Sequence, residues 1–213
     1  MKHRIISILI MLAVWTVPVF AQDNTIAIGA IRATLTLPDG WERIENEETL
    51  LSAQSSRGTL MTLSVQNGDV SKSQWNLDLY EDSECEKLED SLVETLGKGG
   101  YENVEGSLVK QDGVKWLRFV WETSGEEGQR YGVQYYTAMN GQAITAAFTS
   151  DQKLEAEELE EIDGIIASVH FAEIQERPAK SENDWTVRII WISLLIVAGL
   201  VTYMITTRRQ KKR

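Results

Sequence analysis

One cysteine, Cys85, in 213 residues leaves no pair to form an internal disulfide, so this chain must be held by packing. Histidine is almost as scarce: His3 lies at the start and His170 is the other. Zinc would need more Cys and His ligands than these. A Ser-His-Asp arrangement would have to recruit His170 from the end of the last predicted helix. A Cys85/His170 pair would draw its thiol from an apolar helical stripe, the setting of an inert core cysteine. The sequence has no alternating-Asp calcium loop and no phosphate-cradling glycine motif. It also lacks an Asn-x-Ser/Thr acceptor, an internal repeat and a low-complexity tract. Paired carboxylates could lie anywhere among 32 acidic residues, so no catalytic residue is singled out, and neither cofactor nor metal is expected.

What is present first is targeting information. Lys2 and Arg4 precede an apolar run from Ile5 to Val17, and Val19-Phe20-Ala21 has the small or apolar residues a signal peptidase reads. Residues 1–21 therefore read as a cleavable signal; the alternative, an uncleaved anchor, has a run that is short for a membrane span. Residues 187–207 are apolar enough and, as a helix, long enough to cross a hydrocarbon core of about 30 Å. Trp185, Trp191 and Tyr203 sit near the ends of that run, and Arg208, Arg209, Lys211, Lys212 and Arg213 follow it, a stop-transfer pattern that keeps residues 208–213 in the cytoplasm. Residues 22–171 then form one exported domain, and 172–186 a polar tether. The exported part has 32 acidic and 13 basic side chains, a net charge of −19. That charge disfavours nucleic acid and anionic lipid as main partners. The absence of a glycosylation acceptor leans toward a bacterial envelope.

Within the domain, Ile31, Ala33, Leu35 and Leu37 alternate up to the turn Pro38-Asp39-Gly40, which predicts a strand, a turn and a buried Trp41. "LLSAQSS" and "TLMTLSVQ" read as strands about the Arg57-Gly58 turn. A helical region from about Ser71 to Leu96 carries Cys85, Leu88, Leu92 and Leu96 on one stripe, with a fresh start near Asp82 or Ser83 and capping-box spacing from Ser83 to Glu86. Gly97, Gly99 and Gly100 end it. Four strands follow, and Asn140-Gly141 marks the last hairpin. Pairing Met139 with Gln142 places Tyr131, Val133 and Tyr135 beside Ile144, Ala146 and Phe148 on a core face. Leu117, Phe119 and Trp121 are expected to join that face. The final helix, Leu154 to about Val169, turns Leu159, Ile162, Ile165, Ile166 and Val169 inward.

"LTLPDGW" near the mature N-terminus, a helix, an antiparallel meander and the closing "IIASVHF" resemble the PsbP-like superfamily, in particular its bacterial branch of DcrB-like and related exported domains, over about Thr25 to Phe171. The resemblance implies an α+β fold, an α/β/α sandwich around an antiparallel sheet, with accessory or binding roles and no shared catalytic set. The C-terminal transmembrane helix is an addition to it. One constellation invites a ligand. On the second sheet face Trp116, Arg118, Arg130 and Tyr136 would surround Gly132, Ala143 and Thr145, and a guanidinium beside aromatic rings can grip a carboxylate, sugar or peptide. The competing reading places a helix over this face and pairs Arg118 with a surface glutamate. The expected function is a single-pass, membrane-anchored extracytoplasmic binding or assembly module, non-enzymatic, with an envelope protein as partner. An envelope hydrolase using dispersed carboxylates and a purely structural envelope protein are the alternatives.

Overall fold

A computed structural model describes residues 24–67, 76–125 and 128–174. The predicted signal, the span 187–207, the tail and most of the tether lie outside them. Among the described residues no helix is long and apolar enough to cross a membrane.

The chain begins with a hairpin, β1 (Thr25–Ile28) and β2 (Ala33–Thr36). A 3-10 turn over Gly29–Ile31, closed by Arg32 at φ 49°, breaks what the alternation predicted as a single strand. After the Pro38 turn come β3 (Trp41–Ile44), β4 (Leu51–Ser55) and β5 (Leu60–Asn67), and Trp41 is buried as expected. A second 3-10 turn, Leu77–Leu79, leads into α1 (Asp82–Lys98). Its start is set by the Glu84 carboxylate accepting the Glu81 N–H at 3.2 Å, two residues ahead of the expected Ser83/Glu86 cap. Cys85, Leu92 and Leu96 are its buried stripe.

Four long strands form a meander: β6 (Glu102–Gln111), β7 (Val114–Gly125), β8 (Gly128–Met139) and β9 (Gln142–Ser150). Two of its turns have two residues with left-handed backbone, Asp112-Gly113 (φ 47° and 80°) and Asn140-Gly141 (φ 51° and 75°). That is the geometry whose twist matches paired strands, and Asn, Asp and Gly accept it most readily. The last elements are α2 (Ala156–Ala167) and a two-residue strand, β10 (His170–Phe171).

These pieces make an antiparallel seven-stranded sheet in the order β3-β4-β5-β9-β8-β7-β6 and a small sheet β1-β2-β10. The large core fills one face of the big sheet, where Met61, Leu63, Val133, Tyr135, Ile144, Ala146 and Phe148 meet the small sheet and Ile162, Ile165 and Ile166 of α2. On the opposite face, Leu117, Phe119, Trp121 and Tyr136 pack with Cys85, Leu92 and Leu96 of α1 and with Leu77. The fold is thus α+β, an antiparallel sheet with helices on both sides.

This corrects the expected placement of β7. Leu117 pairs with Tyr136, Phe119 with Gln134 and Trp121 with Gly132, while Arg118 pairs with Tyr135 and Val120 with Val133. Leu117, Phe119 and Trp121 therefore sit beneath α1, and Val114, Trp116, Arg118 and Val120 turn toward α2. Both faces of this strand are buried, so apolarity alone could not choose between them.

Candidate functional site

The same register divides the predicted ligand-binding set. Trp116 and Arg118 lie on the α2 side of the sheet; Arg130 and Tyr136 lie on the α1 side. They cannot form one recognition surface, because neighbouring residues of a strand point to opposite faces and the β7–β8 pairing joins odd-numbered to even-numbered positions. Trp116 and Tyr136 are buried in the two separate cores. Arg130 Nε stands 3.7 Å from Asp151 Oδ1. The helix-covered reading of the second face describes the α1 side well, since Gly132 there receives the Trp121 ring.

What the fold does assemble is a row of polar ties between α2 and the sheet. The Arg118 Nε donates to the Tyr135 hydroxyl at 2.9 Å and stands 3.3 Å from Asp163 Oδ1, and the Tyr135 hydroxyl donates to that same carboxylate. The guanidinium carbon lies 5.9 Å from the Tyr135 ring centre. Two residues nearer the helix start, Glu161 accepts from both the Trp41 indole N–H and Arg57, and Glu158, three residues before that, accepts from the Thr59 hydroxyl. Glu158 is itself buried. Asp163, Glu161 and Glu158 thus bind five residues of the sheet and its β4–β5 turn, Arg118, Tyr135, Trp41, Arg57 and Thr59, across the helix interface, where each buried polar group needs its partner.

Sequence reasoning missed Tyr135, Asp163, Glu161 and Glu158 as a set, though a signal was present. Glu158 is four residues before Ile162, and Glu161 four before Ile165, so both fall on the edge of the stripe that faces the sheet. Acidic residues in the first half of a helix are also favoured by its dipole, which explains them without any contact to the sheet.

Electrostatics indicates what this row can do. Burial, reinforced by the hydrogen bond to Asp163, pushes the Tyr135 hydroxyl well above the ordinary phenol range, so it stays a neutral donor. Burial works against the charge of Arg118, but the neighbouring Tyr135 and Asp163 hold its pKa above the usual value. The result is a charge-balanced brace with its proton fixed, not an activated nucleophile and base.

Among the described residues, Cys85, His170 and Lys115 are also engaged. Cys85 is fully buried on the sheet-facing side of α1, and burial raises its thiol pKa, so thiolate chemistry is disfavoured. His170 is exposed on β10, with Nδ1 3.1 Å from Asp112 Oδ2. Cys85 and His170 belong to elements on opposite sides of the large sheet. Lys115 Nζ pairs with Asp82 at 2.6 Å and donates to the Tyr80 carbonyl at 2.7 Å, tying the start of α1 to β7. Among the described residues no group of three His, Cys, Asp or Glu side chains is placed to hold a metal ion.

No family model and no curated protein matches the chain. Among solved structures it is similar to a protein from Bacteroides thetaiotaomicron, with 16% identity over 73% of this chain and a TM-score of 0.45. The chain spans about half the length of that protein, 50%. It is also similar to the cyanobacterial PsbP (CyanoP) of Synechocystis, at 12% identity over 69% of this chain and 91% of the other, TM-score 0.43. A third likeness is to LpqN of Mycobacterium tuberculosis, described as involved in cell envelope biogenesis, at 13% identity over 64% and 81% of the two chains, TM-score 0.43. At these identities and TM-scores, no residue role or activity passes from them to this chain.

Proposed function

We propose that this chain is a membrane-anchored extracytoplasmic module of non-enzymatic binding or assembly function, its acidic domain outside and its basic tail in the cytoplasm, in the manner of the exported DcrB-like branch of PsbP-like proteins. The observation that carries the reading is the arrangement of the sequence: a signal-like start, one acidic domain, and an apolar run stopped by five basic residues at 208–213. The interior of the domain supports it. The charged and phenolic groups that could do chemistry at the α2 interface are committed to bracing the helix, and the one thiol is sealed in a core. A body built this way offers its outer surface, and the partner it suits is an envelope protein with a basic patch, given the −19 charge of residues 22–186.

Topology and activity can be tested together. In intact spheroplasts, added protease should remove the acidic domain while an epitope fused after Arg213 survives. Purified protein should show no turnover against ester, peptide, glycoside and phosphoester panels, and crosslinking in the native envelope should recover one defined protein partner. Loss of the epitope with membranes unbroken would overturn the orientation. Turnover abolished by replacing one particular Glu or Asp would overturn the non-enzymatic reading.

A further inference from the structure

The two ends of the sandwich are chemically different. At one end lie the Asn140-Gly141 turn, the Asp112-Gly113 turn and the Gly29–Arg32 loop, brought together by the Gln142 side chain donating to the Ala30 carbonyl at 3.3 Å and by His170 meeting Asp112. The chain leaves the domain here, and it is fastened as it leaves. The Ala172 N–H donates to the Arg32 carbonyl at 2.9 Å, the Glu173 carboxylate pairs with Arg32 at 2.9 Å, and the Asn140 side chain donates to the Glu173 carbonyl at 2.7 Å. At the opposite end the described chain enters: Thr25 pairs with Thr36, and the Asn24 carbonyl accepts the Leu37 N–H.

A second observation marks the exit end independently. The two exposed large hydrophobic residues among those described are Leu79 and Ile174, 46% and 54% exposed. Ile174 follows the fastened segment directly. Leu79 lies on the 3-10 turn held to the same end by Asn76 accepting the Asn140 N–H and Asp78 accepting the Lys115 N–H.

We infer that the exit end, with Leu79 and Ile174, faces the lipid surface that carries the chain's own anchor, and that the fastening of residues 170–173 fixes this orientation. The inference rests on the anchored reading proposed above. The nine residues of β9 alone separate the two ends by about 30 Å, and only the twelve residues 175–186 stand between Ile174 at the exit end and the expected span at 187. The exit end is therefore held near the membrane, and the entry end, with Arg57 and the start of α2, points away from it toward partners.

The test uses the full chain in phosphatidylcholine vesicles containing an acceptor-labelled lipid. A donor dye is attached through Lys110→Cys at the exit end or Lys153→Cys at the entry end; both positions are exposed, and Cys85 is fully buried and takes no dye. Energy transfer to the lipid should be roughly twofold or more greater from position 110, as ends about 30 Å apart require. Equal transfer, or greater transfer from position 153, overturns the orientation. Combining Asn140→Asp with Glu173→Ala unfastens the exit while keeping the turn, and should narrow the difference; an unchanged difference overturns the role of the fastening. Co-flotation with the vesicles separates the two layers of argument. A chain that floats with the wrong end inward sinks this inference alone, and a chain that does not float sinks the anchored reading as well.

Discussion

Gly132→Ala is the sharpest test of the packing beneath α1. Gly132 pairs with Trp121 across β7 and β8, and a Cβ on it would lie 2.2 Å from the Trp121 ring, where real contacts stay above 3.0 Å. In a site with room, Gly→Ala would add about 0.4 to 1 kcal/mol of stability by narrowing the unfolded ensemble. Here the ring has little freedom to yield. It is 6% exposed and meets Tyr101 edge-on at 4.8 Å. Overpacking of this kind costs about 1 to 3 kcal/mol, which exceeds the entropic gain, so a net loss of about 1 to 2 kcal/mol is expected. Urea unfolding of residues 22–174 should show a lower midpoint with unchanged slope. Trp121→Ala, costing about 3 to 5 kcal/mol by itself, should make Gly132→Ala neutral or favourable in the double variant, a coupling of about 1 to 3 kcal/mol. A Gly132→Ala protein as stable as the parent, or one equally weakened in both backgrounds, would refute the reasoning.

Arg118→Ala should lower stability by about 1 to 3 kcal/mol, because Tyr135 and Asp163 lose their cation inside the brace; full stability with weakened partner capture would instead make Arg118 a recognition residue. The exposed Asp82 carboxylate is held below its ordinary range by its hydrogen bond to Lys115 and by that residue's charge. A depressed folded pKa contributes stability above the unfolded value and loses it as pH falls through the folded one, so Asp82→Asn should flatten the acid limb of a stability–pH curve; an unchanged limb would contradict this. Asp78 has the opposite sign: burial raises its pKa despite the Lys115 N–H bond, so its charged form costs stability above the folded value. Asp78→Asn, which keeps an acceptor oxygen, should therefore gain more over the parent at pH 7 than at pH 3. The Cys85 thiol should react with a thiol reagent only in denaturant; labelling of the native protein would place it outside the core.

Much of the fold was legible because local chemistry fixed it. Asn140-Gly141 set the β8–β9 register and hence the face shared by Val133, Tyr135, Ala146 and Phe148. Both helices followed from their apolar periodicity. β7 was not legible, since Trp116 and Trp121 are both buried and only the pairing with β8 tells which goes where. β10 escaped because two residues carry no period, and its pairing with β2 depends on tertiary placement. The α2 brace escaped for a different reason. Acidic residues near a helix start have an adequate local explanation in the dipole, and only the position of Thr59, Trp41 and Tyr135 opposite them shows the further use.

The order of strands also carries a consequence for how the molecule comes into being. β9 lies between β5 and β8, so the β3-β4-β5 part joins the meander only through pairings such as Met61 with Phe148, far apart in the chain. The large core closes later still, with Ile162, Ile165, Ile166 and Phe171. A growing or threading chain thus gains little from its first third until its last strand and helix have emerged, and non-local pairing of this kind is slow. Until then Leu51, Met61 and Leu63 remain without their partners. The emerging domain therefore depends on being kept from aggregation until Phe171 is free.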